Sequence, residues 1–155
     1  MVNNFKNFEN FESMQHAVQL ARMYNLSCRW ASLKQLNIVN ILIMVELYAD
    51  EKGVEASQIA DHLFLPRQTM TYAVDSLEQK NYVIRKSHPS DRRRKLLVLT
   101  PQGYDLVTGI MSELDEEFNN FTKELIPDKT KFYSELDEFI LYLEKKMNEY
   151  KENYK

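Results

Sequence analysis

The chain has 155 residues, 44% apolar and 28% charged, with a formal net charge of −3. This is the composition of a folded globular protein with a core of its own, and it excludes wholesale disorder. Three glycines and four prolines point to a mostly helical chain without a Gly-rich phosphate loop or dinucleotide fingerprint, and the single cysteine, Cys28, excludes an internal disulfide and suits a reducing cytosol.

The amino terminus, Met1-Val-Asn-Asn-Phe-Lys, lacks the apolar segment of a signal peptide. The longest apolar run, Ile38 to Val45, is interrupted by Asn40 and is too short to span a bilayer. The expectation is a soluble cytoplasmic protein with no membrane partner.

A first helix is expected from near Asn10, with Phe11, Met14, Val18, Ala21, Tyr24 and Cys28 at three-and-four spacing on one stripe. Phe5 and Phe8 upstream are too apolar for a free tail and are expected to pack on another surface, such as a second subunit. Asn37 to Ala49 reads as a buried helix, apolar on nearly every side, with Asn37 as N-cap and Gly53 as its stop or turn. Val54-Glu55 is a minimal strand. Ser57 caps or begins the next helix, with Ile59, Ala60 and Leu63 facing inward. Pro66 ends that helix, because it has no N–H to donate and restricts its predecessor. Helix resumes at Arg67, with Met70, Ala73, Val74 and Leu77 at core spacing and Arg67, Gln68, Thr71, Tyr72, Asp75 and Gln79 outside.

Two strands follow, the first with Val83 and Ile84, the second with Leu97 and Leu99 alternating, joined through the turn chemistry of His88-Pro-Ser-Asp. Thr100 can cap the next helix, with Pro101 at its first position. Two helices broken at Pro127 complete the chain. One carries Val107, Ile110, Leu114, Phe118, Phe121 and Leu125; the other carries Phe132, Leu136, Phe139, Leu143, Met147 and Tyr150. A small domain has no room to bury both stripes and the Phe5/Phe8/Phe11 patch, so a symmetric homodimer is expected. The fold class is mostly α with a small β-wing. A winged helix-turn-helix over 37–100 lies between an N-terminal helix (1–36), part of the dimerisation region, and C-terminal dimerisation helices (101–155).

The charge is uneven. Arg85, Lys86, Arg92, Arg93, Arg94 and Lys95 face one acid, Asp91, whereas acids prevail from Glu113 onward. A basic patch on an otherwise acidic protein points to a polyanion at that patch. A helix lying in the major groove reaches base edges with its first residues, which makes Arg67, Gln68, Thr69, Thr71 and Tyr72 the candidate readers. Arg67 can pair with a guanine and Gln68 with an adenine; Thr69 and Thr71 suit phosphates or thymine methyl groups. The basic hairpin supplies the second half of the interface, because an arginine at such a tip can enter a narrow minor groove. Asp91 can orient a neighbouring guanidinium, and Arg94 is expected to weaken binding to all sequences alike when removed. Groove helix and wing occur in the order that duplex DNA binding requires.

The run Asp91-Arg92-Arg93, three residues, Leu97, one residue, Leu99-Thr100, two residues, Gly103 resembles the wing signature of the MarR family of bacterial winged-helix regulators. Leu77-Glu-Gln-Lys-Asn-Tyr-Val-Ile-Arg85 is similar to that family's link between recognition helix and wing, with Asn81 where glycine is usual. The resemblance covers about Leu36 to Gly103. It implies a homodimer with intertwined terminal helices on a pseudopalindromic operator in double-stranded DNA, and a transcription regulator, more often repressor than activator. It places the minor-groove contact on Arg93. It also implies release of DNA by a small, often phenolic or lipophilic effector, held by analogy between the first helix and the central helix. Met23, Tyr24, Ser27, Trp30, Asn37 and Asn40 are the candidates there.

One branch of the family switches through cysteine oxidation. Cys28 is a candidate for that role, set against its reading as a small apolar residue on a helix stripe. His16, His62 and His88 have no ligand spacing, so neither metal nor cofactor is expected, and no enzyme motif is present. The alternative function is a winged-helix protein-interaction module that does not bind DNA.

Overall fold

The computed structural model describes residues 12–91, 93–126 and 128–153. Phe5, Phe8, Phe11, Arg92 and Pro127 lie outside the described residues, as do the side chains of Phe118, Phe121 and Leu125. In chain order the elements are α1 (Glu12–Leu33), α2 (Ile38–Ala49), β1 (Val54–Glu55), α3 (Ala56–His62), α4 (Arg67–Gln79), β2 (Val83–Ser87), β3 (Lys95–Leu99), α5 (Pro101–Leu125) and α6 (Lys129–Asn153). They form two compact units, one comprising the described residues through Gly109 and the other those from Ile110 onward.

The core of the first unit is built on α2. Asn37 caps it as expected, its Oδ1 accepting from the Asn40 N–H at 2.7 Å, and Ile41, Ile43, Met44 and Leu47 are buried. Around them lie Ile59 and Ala60 of α3, Met70, Ala73, Val74 and Leu77 of α4, Val83, Leu97 and Val98 of the sheet, and Val107. The four core positions expected on α4 are the four that are buried. α2 ends in a turn closed by the Gly53 N–H donating to Asp50 O at 3.0 Å. Gly53 has φ +93°, and a Cβ there would stand 2.5 Å from Val98 Cγ1 and 2.8 Å from Leu97 O, so both conformation and space require glycine.

Two expectations need correction. The cap of α3 is Glu55, not Ser57: Glu55 is extended, and it and Gln58 each accept the other's backbone N–H in a capping box. The minimal strand expected at Val54-Glu55 joins the hairpin in a three-stranded antiparallel sheet of order β1-β3-β2, with Val54 opposite Leu97 and Val83 opposite Leu99. Finally, burial along β3 does not alternate on Leu97 and Leu99. Leu97 and Val98 are both buried and Leu99 is half-buried, because β3 is the central strand and the Gly53 turn covers the Val98 side chain.

Between α3 and α4 the chain turns through Leu63–Pro66, with Leu65 N–H bonded to Ala60 O at 2.8 Å and Phe64 at φ +52°. The positive φ falls on an aromatic residue, so the sequence gives no glycine signal for this turn. α4 stops at Asn81, which adopts φ +58°, the left-handed conformation that asparagine tolerates. Thr100 then joins this turn to α5. Its hydroxyl donates to Asn81 O at 2.7 Å and accepts from the Gly103 N–H at 3.0 Å.

In the second unit, the α6 stripe of Phe132, Leu136, Phe139, Leu143, Met147 and Tyr150 is exposed, and so is Leu114 of α5. Three of the five described residues of the expected α1 stripe are exposed as well: Met14, Ala21 and Tyr24 are open, while Val18 and Cys28 are half-buried.

Candidate nucleic-acid interface

Pro66 occupies the N-cap of α4, and the turn before it sets the helix start apart from α3. The outer face carries Arg67, Gln68, Thr71 and Tyr72, all exposed, with Thr69 half-buried. Gln68 Nε2 donates to the Tyr72 hydroxyl at 3.3 Å, which pairs the two side chains one helical turn apart. The Thr71 hydroxyl donates to Arg67 O at 3.0 Å. Arg67 is already engaged: its guanidinium donates to Ser57 O at 2.7 Å and to Asp61 Oδ1 at 2.6 Å, tying α4 to α3. Both partners are largely exposed, and ion pairs in water are worth only about 0–1 kcal/mol. A nucleic acid can therefore compete for Arg67, whereas Gln68 and Tyr72 are open without that exchange.

The β2–β3 loop is folded on its own side chains. The Ser90 N–H donates to His88 Nδ1 at 3.2 Å, the His88 N–H to Arg94 O at 3.1 Å and the Arg94 N–H to Asp91 O at 3.0 Å. Asp91 Oδ1 accepts from the Arg93 backbone N–H at 2.9 Å. Its hydrogen bond thus holds the turn. The Arg93 side chain is exposed and has no hydrogen bond or ion pair among the described residues. Arg94 bonds Glu55 of β1. The hydrogen bond and charge of Glu55, with a smaller contribution from Asp91, hold the Arg94 guanidinium above its ordinary pKa. Lys95 Nζ donates to Ser87 Oγ at 3.0 Å.

Arg85 of β2 bridges to α4, pairing with Asp75 at 2.9 Å and bonding Glu78 as well. Four acids that sequence reasoning passed over, Glu55, Asp61, Asp75 and Glu78, thus partner three of the basic candidates. Only Asp75 and Glu78 carried a usable signal, since they sit three apart on the face of α4 next to the sheet. The pairing of Glu55 with Arg94 spans 39 residues.

The residues proposed for an effector divide. Met23 and Tyr24 are exposed on α1, and the Ser27 hydroxyl donates to Met23 O at 3.1 Å. Hydrogen bonding and charge at Cys28 raise the Tyr24 phenol pKa. Trp30 is half-buried, with Lys34 Nζ 5.8 Å from its ring centroid. Asn37 is committed to capping α2. Asn40 is 1% exposed and turned to α4, where its Nδ2 donates to Ala73 O at 3.4 Å, while its Oδ1 has no hydrogen-bond partner among the described residues. His62 is a surface residue bonded to Glu46 at 2.9 Å. Among the described residues no cluster of His, Cys, Asp and Glu has metal-holding geometry, and no helix is long and apolar enough to cross a membrane.

A model of the MarR family matches residues 35–94. The chain is 35% identical over 94 residues to the HTH-type transcriptional regulator MhqR of Bacillus subtilis, a match covering 57% of this chain and 63% of that protein. It is 29% identical over 104 residues to the HTH-type transcriptional regulator SarZ of Staphylococcus epidermidis, covering 63% and 69% respectively. The chain thus spans less than two thirds of MhqR. Among solved structures, NMB1585, a MarR family regulator from Neisseria meningitidis, superposes with a TM-score of 0.73 at 20% identity over 89% of this chain and 97% of that one. The S. aureus MepR–DNA complex superposes with a TM-score of 0.68 at 21% identity over 86% and 96%. At these identities the structures show a shared fold.

Proposed function

On the match of a MarR family model to residues 35–94, we propose that the chain is a dimeric, sequence-specific DNA-binding transcription regulator of that family. It acts as a repressor whose operator binding is relieved by a small lipophilic or phenolic effector. The observation that carries the reading is the division of labour among the basic residues. Arg67, Arg85 and Arg94 are held by acids within the winged domain, while Arg93 at the hairpin tip is exposed and unpartnered among the described residues. Gln68 and Tyr72 are the open polar groups at the start of α4. A groove helix presenting an amide, beside a wing presenting the guanidinium of Arg93, suits a major-groove contact flanked by a minor-groove contact.

Dimerisation rests on the exposed apolar stripe of α6, since isolated soluble proteins rarely leave such a face to water. A C2 pair of lobes then meets two half-sites of a pseudopalindrome. The effector reading rests on the open Met23, Tyr24 and Ser27 face of α1, a mixture of apolar area and hydrogen-bonding groups.

The test is duplex binding as a function of salt. Affinity should fall steeply as salt rises, in proportion to the phosphates contacted, and Arg93→Ala should weaken binding at least about tenfold. Absence of duplex binding, or indifference to Arg93→Ala, favours a protein-interaction module instead.

A further inference from the structure

One carboxylate stands where the helix-turn-helix meets the wing. Glu55 is the last residue of β1, opposite Leu96 of β3, and its side chain is 17% exposed. It accepts the Gln58 N–H in the first turn of α3, while Gln58 Oε1 accepts the Glu55 N–H at 3.1 Å. The same carboxylate accepts from Arg94 Nη2. Arg94 is the residue before β3 and the neighbour of Arg93. Its N–H and carbonyl both close the wing loop, to Asp91 O at 3.0 Å and from the His88 N–H at 3.1 Å. Its backbone N–H and carbonyl are therefore taken up in holding the loop, and its Nη2 fixes the loop to β1. A guanidinium that left Glu55 for a phosphate would strand a largely buried carboxylate, which costs more than an exposed pair returns.

We propose that Arg94 is a positioning residue. Bound to Glu55, it fixes the wing relative to the N-terminus of α3, so that Arg93 projects at a set place, and Arg94 does not itself touch DNA. Glu55, an acid at the edge of a basic surface, contributes to DNA binding through this bond. The inference rests on the DNA-binding reading above and gives a physical cause, other than direct contact, to the expectation that losing Arg94 weakens binding to all sequences alike.

The experiment measures affinity of the full chain for a duplex selected from random sequence, over a range of potassium chloride concentrations. The proteins are wild type, Arg93→Ala, Arg94→Ala, Glu55→Gln and the Glu55→Gln/Arg94→Ala double variant. Arg94→Met, which keeps the aliphatic stem, replaces Arg94→Ala should that variant unfold. Arg94→Ala and Glu55→Gln should each weaken binding about tenfold, and the double variant should be no weaker than either, the signature of two groups acting through one bond. Neither should change the slope of log K against log salt, because no phosphate contact is lost. A slope reduced by about one on Arg94→Ala, together with unchanged or tighter binding by Glu55→Gln, overturns the inference and leaves the DNA-binding reading intact. Additive losses in the double variant also overturn it. Wild type that fails to bind the duplex at any salt overturns the DNA-binding reading itself.

Discussion

Gly103→Ala is the most informative single change at the junction of wing and α5. A Cβ at Gly103 would stand 2.0 Å from Tyr82 O, 2.9 Å from Tyr82 C and 3.1 Å from Tyr82 Cα. The first contact is more than an ångström inside ordinary separation, and its partner is backbone, so no rotamer change relieves it. The first turn of α5 must move away from the Asn81–Tyr82 turn. That movement strains the Thr100 N–H bond to Tyr82 O at 3.0 Å and the Thr100 hydroxyl bond to Asn81 O at 2.7 Å. Overpacking costs about 1–3 kcal/mol, the weakened hydrogen bonds about 1 kcal/mol each, and the better helix propensity of alanine returns about 1 kcal/mol. A net loss of about 2–4 kcal/mol follows. In urea unfolding at fixed protein concentration, the midpoint should fall by about 1 M with m unchanged. Gly109→Ala is the control on the same helix: a Cβ there meets nothing within 4 Å, so it should hold or raise the midpoint. An unchanged midpoint for Gly103→Ala, or equal shifts for both glycines, would refute the close-contact reasoning.

Asn81 at φ +58° carries a cost that glycine escapes. Asn81→Gly should raise stability slightly and Asn81→Ala should lower it by about 1 kcal/mol; calorimetry showing the opposite order would contradict a left-handed turn. Asn40→Leu removes a buried amide whose Oδ1 has no partner among the described residues, so it should cost little or stabilise, whereas Asn40→Asp, which leaves a buried charge, should cost about 3 kcal/mol or more. Denaturation midpoints in which leucine is the worse of the two would mean that the long bond to Ala73 O matters more than its 3.4 Å suggests. Gln68→Ala should cost about 1–3 kcal/mol on the preferred operator and relax base choice at one position. Equal losses on every duplex tested would remove Gln68 from base reading.

Much of the architecture was legible in the chain, because local chemistry is decisive where it acts alone. Apolar spacing gave the core face of α4 at Met70, Ala73, Val74 and Leu77. Asn37, Pro66 and Thr100-Pro101 marked helix ends through groups that satisfy or cannot continue a backbone ladder. The tip motif Asp91-Arg-Arg with Leu97-x-Leu-Thr100 pointed to a wing and a family. Tertiary structure decided how the charges are used. Counting cations between Arg85 and Lys95 gives a uniform basic patch. Long-range pairing instead assigns Arg94 to Glu55 and Arg85 to Asp75 and Glu78, and leaves Arg93 exposed. It also added β1 to the sheet, which made β3 the central strand and buried Val98. Helix caps and apolar stripes depend on neighbours within a few residues and can be read from the sequence. Ion pairs between distant segments depend on where the fold delivers each side chain, and strand order does too; for these only the folded chain holds the answer.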